Sequence, residues 1–284
     1  MILHFGYGGR LGNQLFVLGY IEGLRGKSEW VISTRLGAAL KSIRPLPRHF
    51  DCSGRLAIFL TKKVFQPLVE NLLVPFRVFS SHQEKHDGRI ACTRGVLPIT
   101  YYKGNYQFAG DAAGLPSFRL RRAYLEYAAD ILNEAEGRTP LFVHVRRGDY
   151  LTYKVHGKQD PSLPAEYYRS AIGYLLERVR DPFLFFLGDE PEWLLSLFGN
   201  LPHAKIARRT ASIDLAIMSL CWGGVISNST FAWWGAFLCR QKEPIIAPQF
   251  WLGWRSGKWH PPFIRTPMFE YFDVLAGKTV DIRN

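Results

Sequence analysis

The C-terminal half of the chain alternates short apolar runs with longer stretches of helical periodicity. The apolar runs are typical of buried strands and cover residues 141–145, 183–187, 224–226 and 244–247. Between and after them, apolar residues recur at helical spacing over residues 166–180, 191–198, 213–221 and 231–240. This repeated order of strand, turn and helix predicts an α/β fold with a parallel sheet covered by helices. Ligands bind such sheets where strands end and helices begin, so polar residues after each strand become site candidates.

The N-terminal half opens with the same order of elements and then loses it. Residues 2–5 form an apolar, strand-like run, and helical spacing follows after a glycine-rich turn. Between about residues 35 and 120, prolines, isolated aromatic residues and basic residues mix without a clear period. The short polar stretch at 133–140 is typical of a linker. We therefore predict an N-terminal unit of residues 1–135 and a C-terminal unit of residues 136–284.

The composition indicates a well-packed globular protein, since 47% of the 284 residues are hydrophobic and 14% are aromatic. No apolar run approaches the ~18 residues of a membrane-spanning helix, and the first residues lack the features of a secretory signal. A cytoplasmic protein is therefore expected. The four cysteines are scattered without a C-x-x-C pair. We interpret them as ordinary semi-buried thiols rather than as a zinc site or a disulfide framework.

The formal net charge of +12 requires an anionic partner or a solvated basic surface. Nucleic acid, an anionic membrane and a small phosphorylated substrate all fit this charge. Basic residues cluster at 119–122 and at 205–209, but no recognisable nucleic-acid-binding module accompanies them. The sequence thus favours a solvated basic surface over a DNA-binding face, and a nucleic-acid-binding protein is the remote alternative.

The sequence GYGGRLGNQLF at residues 6–16 places a glycine-rich turn before the first helix. Free backbone N–H groups at such a helix start favour an anion. No Lys-Ser or Lys-Thr follows the last glycine, which excludes a P-loop, and the glycine spacing differs from the G-x-G-x-x-G of dinucleotide sites. The stretch fits either a phosphate contact or a bare turn in which Asn13 caps the helix.

The motif HVRRGDY begins at His144, at the end of a predicted strand. Alternate side chains of a strand share a face, so His144 and Arg146 point the same way and Arg147 points opposite, towards a structural ion pair. Arg146 offers two fixed donors to a phosphate, and His144 is placed for a ribose, a base or a leaving group. Asp149 either holds Arg146 or acts as a base. An ion-paired turn without a ligand is the alternative.

Two further polar clusters follow predicted strands. In FLGDEPEW, Asp189 can accept hydrogen bonds from guanine N1–H and N2–H₂ or from a ribose diol, or it can cap the next helix. In SNSTFAWW, Asn228 or Ser229 caps a helix that begins with Thr230 and Phe231, and the backbone amides there face a bound phosphate. The tryptophans of that helix are interpreted as core residues.

Together these motifs resemble those of glycosyltransferase family 11, the α-1,2-fucosyltransferases. The resemblance rests on GGRLGNQ, HVRRGDY, FLGDEPEW and the pair DLAIMSLC and SNSTFAWWGAFL, which occur in the family's order between residues 8 and 238. Smaller similarities are His156-Gly157, the EYY at 166–168 and the IIAPQFW at 245–251. Four motifs in the right order carry the assignment.

The resemblance implies a GT-B-like enzyme with two Rossmann-type lobes and a cleft between them. It implies inverting transfer of L-fucose from GDP-β-L-fucose to a galactoside hydroxyl on a glycan, with an α-1,2 linkage and with no metal or other cofactor. Asn13, Arg146 and Asp149 are the catalytic candidates, with a route that needs no side-chain base as the alternative to Asp149. The residues expected to bind the donor are Gly9, Arg10, Gly12, Asn13, His144, Arg146, Asp189, Asn228, Ser229, Thr230 and Phe231.

Two segments depart from the family pattern and leave the acceptor open. Residues 101–108 read YYKGNYQF where members often carry an aromatic-Trp-Gln-Ser-like segment, and residues 39–94 match no motif. The basic surface suggests an anionic membrane or a lipid-pyrophosphate-linked acceptor, as in O-antigen assembly. Transfer from another nucleotide-sugar or into another linkage is the main alternative. An NAD-dependent oxidoreductase fits poorly because the glycine spacing is wrong.

Overall fold

A computed structural model describes residues 1–5, 9–52, 54–85, 87–107, 115–116, 118–155, 160–206 and 209–281. The chain divides into two compact units, Met1–Arg119 and Leu120–Asn284. This division precedes the helix Arg122–Leu132, whereas the expected boundary at 135/136 follows it. The helix lies in the second unit because it packs against the helix Ala211–Leu220 there.

The first unit contains a mostly parallel sheet. Its strands are β1 (Ile2–His4), β2 (Val31–Ser33), β3 (His49–Asp51), β4 (Ser80–Glu84), β5 (Ile90–Thr93) and β6 (Thr100–Lys103). They lie in the order β3-β2-β1-β6-β4-β5, and only the β4–β5 pair is antiparallel among the described residues. The predicted N-terminal strand is confirmed and occupies the middle of this sheet. It pairs Ile2 with Val31 on one side and with Thr100 on the other.

The helices of the first unit include one that changes its winding along its length. The α-helical segments are α1 (Leu11–Leu24), α2 (Gly37–Ser42), α3 (Arg55–Leu60) and α4 (Gln66–Leu68). The π-helical segments Thr61–Phe65 and Val69–Leu73 join and extend α3 and α4 into one helix over residues 55–73. Helix α1 confirms the predicted helix after the glycine turn, and Leu15, Phe16 and Leu18 are fully buried on it.

The second unit contains the predicted parallel sheet. Its strands are β7 (Thr139–Val145), β8 (Pro182–Gly188), β9 (Ala204–Ile206), β10 (Gly223–Val225), β11 (Ile245–Pro248), β12 (Glu270–Phe272) and β13 (Thr279–Val280). Their order is β13-β12-β11-β10-β7-β8-β9, and within the described part only β13 runs antiparallel to its neighbour. The strands that the apolar runs predicted are β7, β8, β10 and β11, each within two residues of its expected bounds.

Helices cover this second sheet. They are α5 (Arg122–Leu132), α6 (Ala165–Leu176), α7 (Pro191–Phe198), α8 (Ala211–Leu220) and α9 (Thr230–Leu238). Helix α6 ends at Leu176 rather than at residue 180. Tyr167, Tyr168 and Phe186 lie in the core between helix and sheet, and Trp233 and Trp234 are fully buried, as their interpretation as core residues predicts.

The strand order of the second unit identifies where its ligands should bind. From β7 the chain proceeds outward through β8 and β9, and it then returns to the other side of β7 with β10. The order of connection therefore reverses between β7 and β10. In parallel α/β sheets the crevice at the carboxyl ends of two such strands is the usual ligand site. His144 is the penultimate residue of β7, and Ser227 lies two residues after the end of β10.

Candidate active site

Arg146 is held between two carboxylates just beyond the end of β7. Its Nη1 lies 2.7 Å from Oδ2 of Asp189, and its Nη2 donates to Oδ1 of Asp149 at 2.5 Å. The guanidinium carbon also lies 5.6 Å from the ring centre of Tyr150. The structure thus brings together three of the predicted residues, and the two carboxylates fix the direction of the arginine fork.

Both oxygens of Asp189 are engaged by the protein. Oδ1 accepts a hydrogen bond from the backbone N–H of Arg147 at 3.0 Å, and Oδ2 pairs with Arg146. The approach is close, since a Cβ at Gly148 would lie 3.1 Å from Oδ2. The alternative in which Asp189 caps α7 is wrong, because Glu190 is the N-cap residue of that helix. A contact of Asp189 with guanosine stays a prediction.

The side chain of Arg147 has partners different from those of Arg146. Its Nε lies 3.2 Å from Oε2 of Glu190, and its guanidinium stacks 4.8 Å above the ring of Trp193. The expected structural ion pair is confirmed. This pair lies at the start of α7 and fixes the loop that carries Asp189.

His144 is buried and uncharged at neutral pH. Its Nδ1 lies 2.9 Å from Oγ of Ser227, and its ring is 5.3 Å from that of Phe231. Burial lowers the pKa of His144 to about 4, although the charge of Asp189 opposes this shift. The ring therefore joins the ends of β7 and β10 as a neutral hydrogen-bonding group.

The start of α9 lies beside this pair. Ser229 is its N-cap, and Oγ of Ser229 accepts from the backbone N–H of Phe231 at 3.3 Å, so of the two expected caps the serine is the one used. Thr230 is the first helical residue. Asn228 is fully buried and donates from Nδ2 to the carbonyl of Pro161 at 2.7 Å.

The hydroxyl of Tyr150 donates to the backbone carbonyl of Asn228 at 3.1 Å. Because the same tyrosine lies against Arg146, it connects the arginine with the N-terminal turn of α9. That turn carries the positive end of the helix dipole. The guanidinium and this helix start both favour an anion, so a phosphate site at the reversal between β7 and β10 stays a prediction.

The predicted residues of the first unit surround the start of α1. Gly9 has a φ of +53°, and a Cβ there would lie 2.7 Å from Nδ2 of Asn13, so the position requires glycine. Arg10 is the N-cap, Gly12 is buried in the first turn, and Oδ1 of Asn13 accepts from Nε2 of Gln107 at 3.1 Å. Capping by Asn13 is therefore wrong. Residues 6–8 of the predicted turn lie outside the described residues.

A cavity of about 490 Å³ lies beside Gly9 in the first unit. Its lining comprises Gly9, Gln14, Arg35, Gly37, Ala38, Lys41 and Ile58. The side chain of Gln14 bridges two segments beside this cavity. Its Nε2 donates to the carbonyl of Gly9 and its Oε1 accepts from the backbone N–H of Ala39, both at 3.0 Å. No motif pointed to Arg35 and Lys41, because they lie in a stretch without a recognisable pattern and approach Gly9 only in the folded chain.

Asp214 is a further residue whose environment the sequence did not reveal. It is buried on α8, and its Oδ1 has no hydrogen-bond partner among the described residues. Burial raises the pKa of Asp214 to about 7, although the charge of Arg209 opposes this shift. A single acid within the apolar run SIDLAIM was the available signal.

No group of three or more His, Cys, Asp or Glu side chains that could hold a metal ion occurs in the described ranges. Independence from metal stays a prediction. His156 and Gly157 of the resemblance lie outside the described residues. Cys221 and Cys239 are buried free thiols, and Cys52 and Cys92 are exposed ones. None of the helices described is both long and apolar enough to cross a bilayer.

Comparison with known families decides the assignment. The model described as Glycosyl transferase family 11 matches residues 102–253, which contain the arginine motif, the aspartate motif and the start of α9. The chain belongs to glycosyl transferase family 11. Membership confirms the family that the four motifs indicated, and it makes this protein a glycosyltransferase.

Two curated relatives are both from Escherichia coli. The O-antigen biosynthesis glycosyltransferase WbnK is 26% identical over 209 residues, which cover 69% of this chain and 68% of that protein. An alpha-1,2-colitosyltransferase is 35% identical over 119 residues, which cover 38% of this chain and 40% of that protein. Of these two names, only the second states the sugar that is transferred, colitose.

Solved structures share the fold. The fucosyltransferase NodZ from Bradyrhizobium has a TM-score of 0.52 at 12% identity, covering 84% of this chain and 92% of that one. A family 9 glycosyl transferase from Veillonella parvula has a TM-score of 0.51 at 11% identity, covering 87% and 80%. The predicted GT-B class, with two α/β units that each contain a mainly parallel sheet, is thereby confirmed.

Proposed function

We propose that this family 11 enzyme transfers L-fucose from GDP-β-L-fucose to a hydroxyl of a galactoside, with inversion, without a metal and with an α-1,2 linkage. One observation carries the proposal: Tyr150 links the Arg146 fork to the residue before the capped start of α9, at the reversal between β7 and β10. A related fold, NodZ described as an alpha-1,6-fucosyltransferase, was crystallised with GDP, which supports a guanosine diphosphate donor.

The donor's diphosphate competes with a carboxylate for Arg146. Arg146, Asp149 and Asp189 together carry one net negative charge, so a phosphate binds only when one carboxylate gives way. Asp149 is the one expected to leave. Its side chain is 47% exposed, whereas that of Asp189 is 25% exposed and also accepts a hydrogen bond from the backbone N–H of Arg147. Asp189 then keeps the arginine aligned.

This exchange of partners prepares the reaction. Arg146 and the amides at the start of α9 stabilise the negative charge that develops on the departing GDP. Asp149, released from Arg146, becomes able to accept the proton of the attacking hydroxyl. The alternative is a loose transition state in which the departing phosphate takes that proton. Asn13, whose amide is oriented by Gln107, is proposed to contact the donor near the reacting carbon.

Transfer of colitose is the second candidate. The relative named as an alpha-1,2-colitosyltransferase is 35% identical over its matched segment, a higher identity than the O-antigen enzyme shows over its longer one. The same arginine and helix start suit the diphosphate of either donor. The sugar is therefore selected by residues other than Arg146.

The first prediction concerns the donor site. We expect calorimetry to show binding of GDP and GDP-fucose that EDTA does not change, and Arg146→Ala to weaken it on the order of a hundredfold because a charge-assisted fork is lost. Arg169→Ala, an exposed arginine on α6, is the matched control and should bind like the wild type. Absence of GDP binding by the wild type would refute the proposal.

Product analysis separates the two sugars. Nucleotide-linked fucose, colitose and mannose, together with UDP-sugars, are each offered with galactoside acceptors, and the linkage of the product is read by NMR. Fucosyl transfer to the 2-hydroxyl supports the main proposal. Transfer of colitose alone would replace the main proposal with the second candidate. A linkage other than α-1,2 would replace it with a different glycosyltransferase activity.

A further inference from the structure

The helix over residues 55–73 carries an apolar surface that the fold does not cover. Exposed apolar side chains on it and just after it are Leu56, Phe59, Leu60, Val64, Phe65, Leu68, Leu72 and Phe76, here called the apolar stripe. Leu56 is 71% exposed and Phe76 is 73% exposed. Single exposed leucines are ordinary on protein surfaces, but a contiguous apolar surface of this kind marks a binding surface.

The winding of this helix aligns the stripe. Six residues of the apolar stripe, from Leu56 to Phe76, recur at every fourth position of the sequence. Two π-helical segments widen the helix, which raises its average repeat from about 3.6 to about 4 residues per turn. Residues four apart therefore stay on one line along the helix. On a regular α-helix the same residues would drift around the axis.

The opposite side of the helix is fixed to the first unit. Val69 and Val74 are buried against Leu3, Phe5 and Tyr101 of the sheet. Glu70 accepts hydrogen bonds from the hydroxyl of Tyr101 and from Nζ of Lys103, both at 2.7 Å. The helix is thus already packed, and none of the residues of the apolar stripe belongs to this core cluster.

Positive charge flanks the apolar stripe. The exposed basic residues here are Arg55, Lys62, Lys63 and Arg77. The only acidic residue between positions 55 and 77 is Glu70, which forms an ion pair with Lys103. A second copy of the chain would bring two such basic flanks together, which opposes a symmetric dimer. A helix with an apolar face and lysine or arginine beside it instead suits a surface of anionic lipids.

We propose that the apolar stripe docks the first unit on an anionic bilayer, with the helix lying among the lipid headgroups. The leucine and phenylalanine side chains enter the boundary of the acyl chains, and the four basic residues pair with lipid phosphates. The buried inner face and the charges on the helix keep it on the surface, in agreement with the lack of a bilayer-crossing helix in the described part of the chain.

The docked helix has a consequence for the acceptor, which rests on the proposed function. Ile58 belongs to this helix and also lines the basic cavity that contains Arg35 and Lys41. Docking therefore holds that cavity close to the lipid headgroups. An acceptor glycan carried on a lipid diphosphate would present its anionic group at this depth.

Flotation of vesicles tests the docking without any donor or acceptor. The wild type should float with phosphatidylcholine vesicles that contain about 30 mol % phosphatidylglycerol and bind pure phosphatidylcholine at least about tenfold more weakly. Replacing three stripe residues in L56S/F59S/L72S should weaken binding to the mixed vesicles by at least about tenfold, because their apolar area stays in water. The matched control L195S/F263S/L275S changes exposed residues of the second unit and should bind normally.

A charge variant tests the same surface independently. K62E/K63E should lose at least about tenfold in binding, and K27E/K85E, with the same change of net charge elsewhere on the first unit, should lose much less. No binding by the wild type, or equal binding by the stripe and control variants, overturns the proposal. So does a dimer in sedimentation velocity that L56S/F59S/L72S converts to a monomer. GDP binding by the variants reports the donor site separately.

Discussion

Arg146 has two carboxylate partners that differ in how firmly the protein holds them. Asp189 is tied to the backbone N–H of Arg147 and lies against Gly148, whereas Asp149 lies on a more exposed turn. An arginine with one firm and one loose partner keeps its orientation while it exchanges the loose partner for a ligand. This difference separates the expected roles of the two acids.

The second prediction distinguishes them by substitution. Asp149→Asn should leave GDP binding equal or a few-fold tighter, because a competitor for Arg146 is removed, and should lower kcat by about 10²–10⁴-fold if Asp149 is the base. Asp189→Asn should weaken GDP binding, because Arg146 loses its alignment. Steady-state kinetics and calorimetry measure both. A kcat near that of the wild type in Asp149→Asn would favour the route without a side-chain base.

The third prediction concerns the buried acid on α8. The pKa of Asp214 is raised to about 7 in the folded protein, above about 4 in the unfolded chain, so the folded state binds the extra proton between these values. Stability should therefore fall by about 2–4 kcal/mol as pH rises from about 4 through about 7. Asp214→Asn should flatten this part of the profile.

Calorimetric melting at several pH values measures this effect. Asp130→Asn, an exposed aspartate on α5, is the matched control and should keep the slope of the wild type. A profile for Asp214→Asn that still falls towards neutral pH would assign the slope to other groups.

At the scale of elements, α9 is distinguished by how it begins. Ser229 caps it with a side chain, and the N-cap side chains of the other α-helices described accept no such hydrogen bond. A side-chain cap fixes the first turn and orients its amides. The helix start that we assign to the diphosphate is therefore the one that the sequence defines most sharply.

The fourth prediction tests this cap. Ser229→Ala should lower the free energy of unfolding by about 1 kcal/mol and also weaken GDP binding, because the first turn of α9 loses its fixed geometry. Chemical denaturation and calorimetry measure the two effects. Ser196→Ala on α7, whose hydroxyl donates to the carbonyl of Trp193, controls for loss of a helical serine hydroxyl. Lost stability with unchanged GDP binding would separate the cap from the donor site.

The sequence predicted β7, β8, β10, β11 and α6 to α9 of the second unit, but it missed α5, β9, β12 and β13 there and predicted few elements of the first unit. β7 and β8 are buried on both faces, so they read as continuous apolar runs. β4 reads SSHQE and lies near the sheet edge, so it carries no apolar signal. The helix over residues 55–73 was missed because a repeat near four residues matches neither the α-helical nor the strand period.

At the scale of the whole molecule, the motifs predicted the family, while the contacts between distant segments were beyond them. Arg146, Asp149 and Asp189 could be placed together because parallel strands end at one edge. Packing that no local pattern encodes determines two further features. Both oxygens of Asp189 are bound by protein groups, and Arg35 and Lys41 line one cavity with Gly9. The net charge of +12 left an anionic partner and a solvated basic surface as alternatives and located neither on the fold.

Because β7 pairs with β10, the proposed donor site forms late during the synthesis of residues 1–284. His144 and Ser227 are 83 positions apart, and the start of α9 follows at residue 230. A ribosome has therefore passed residue 230 before the second half of the proposed site exists. A chain that ends between Asp189 and residue 230 contains Arg146 and its two carboxylate partners but lacks helix α9. We therefore expect donor binding only by chains that extend through α9.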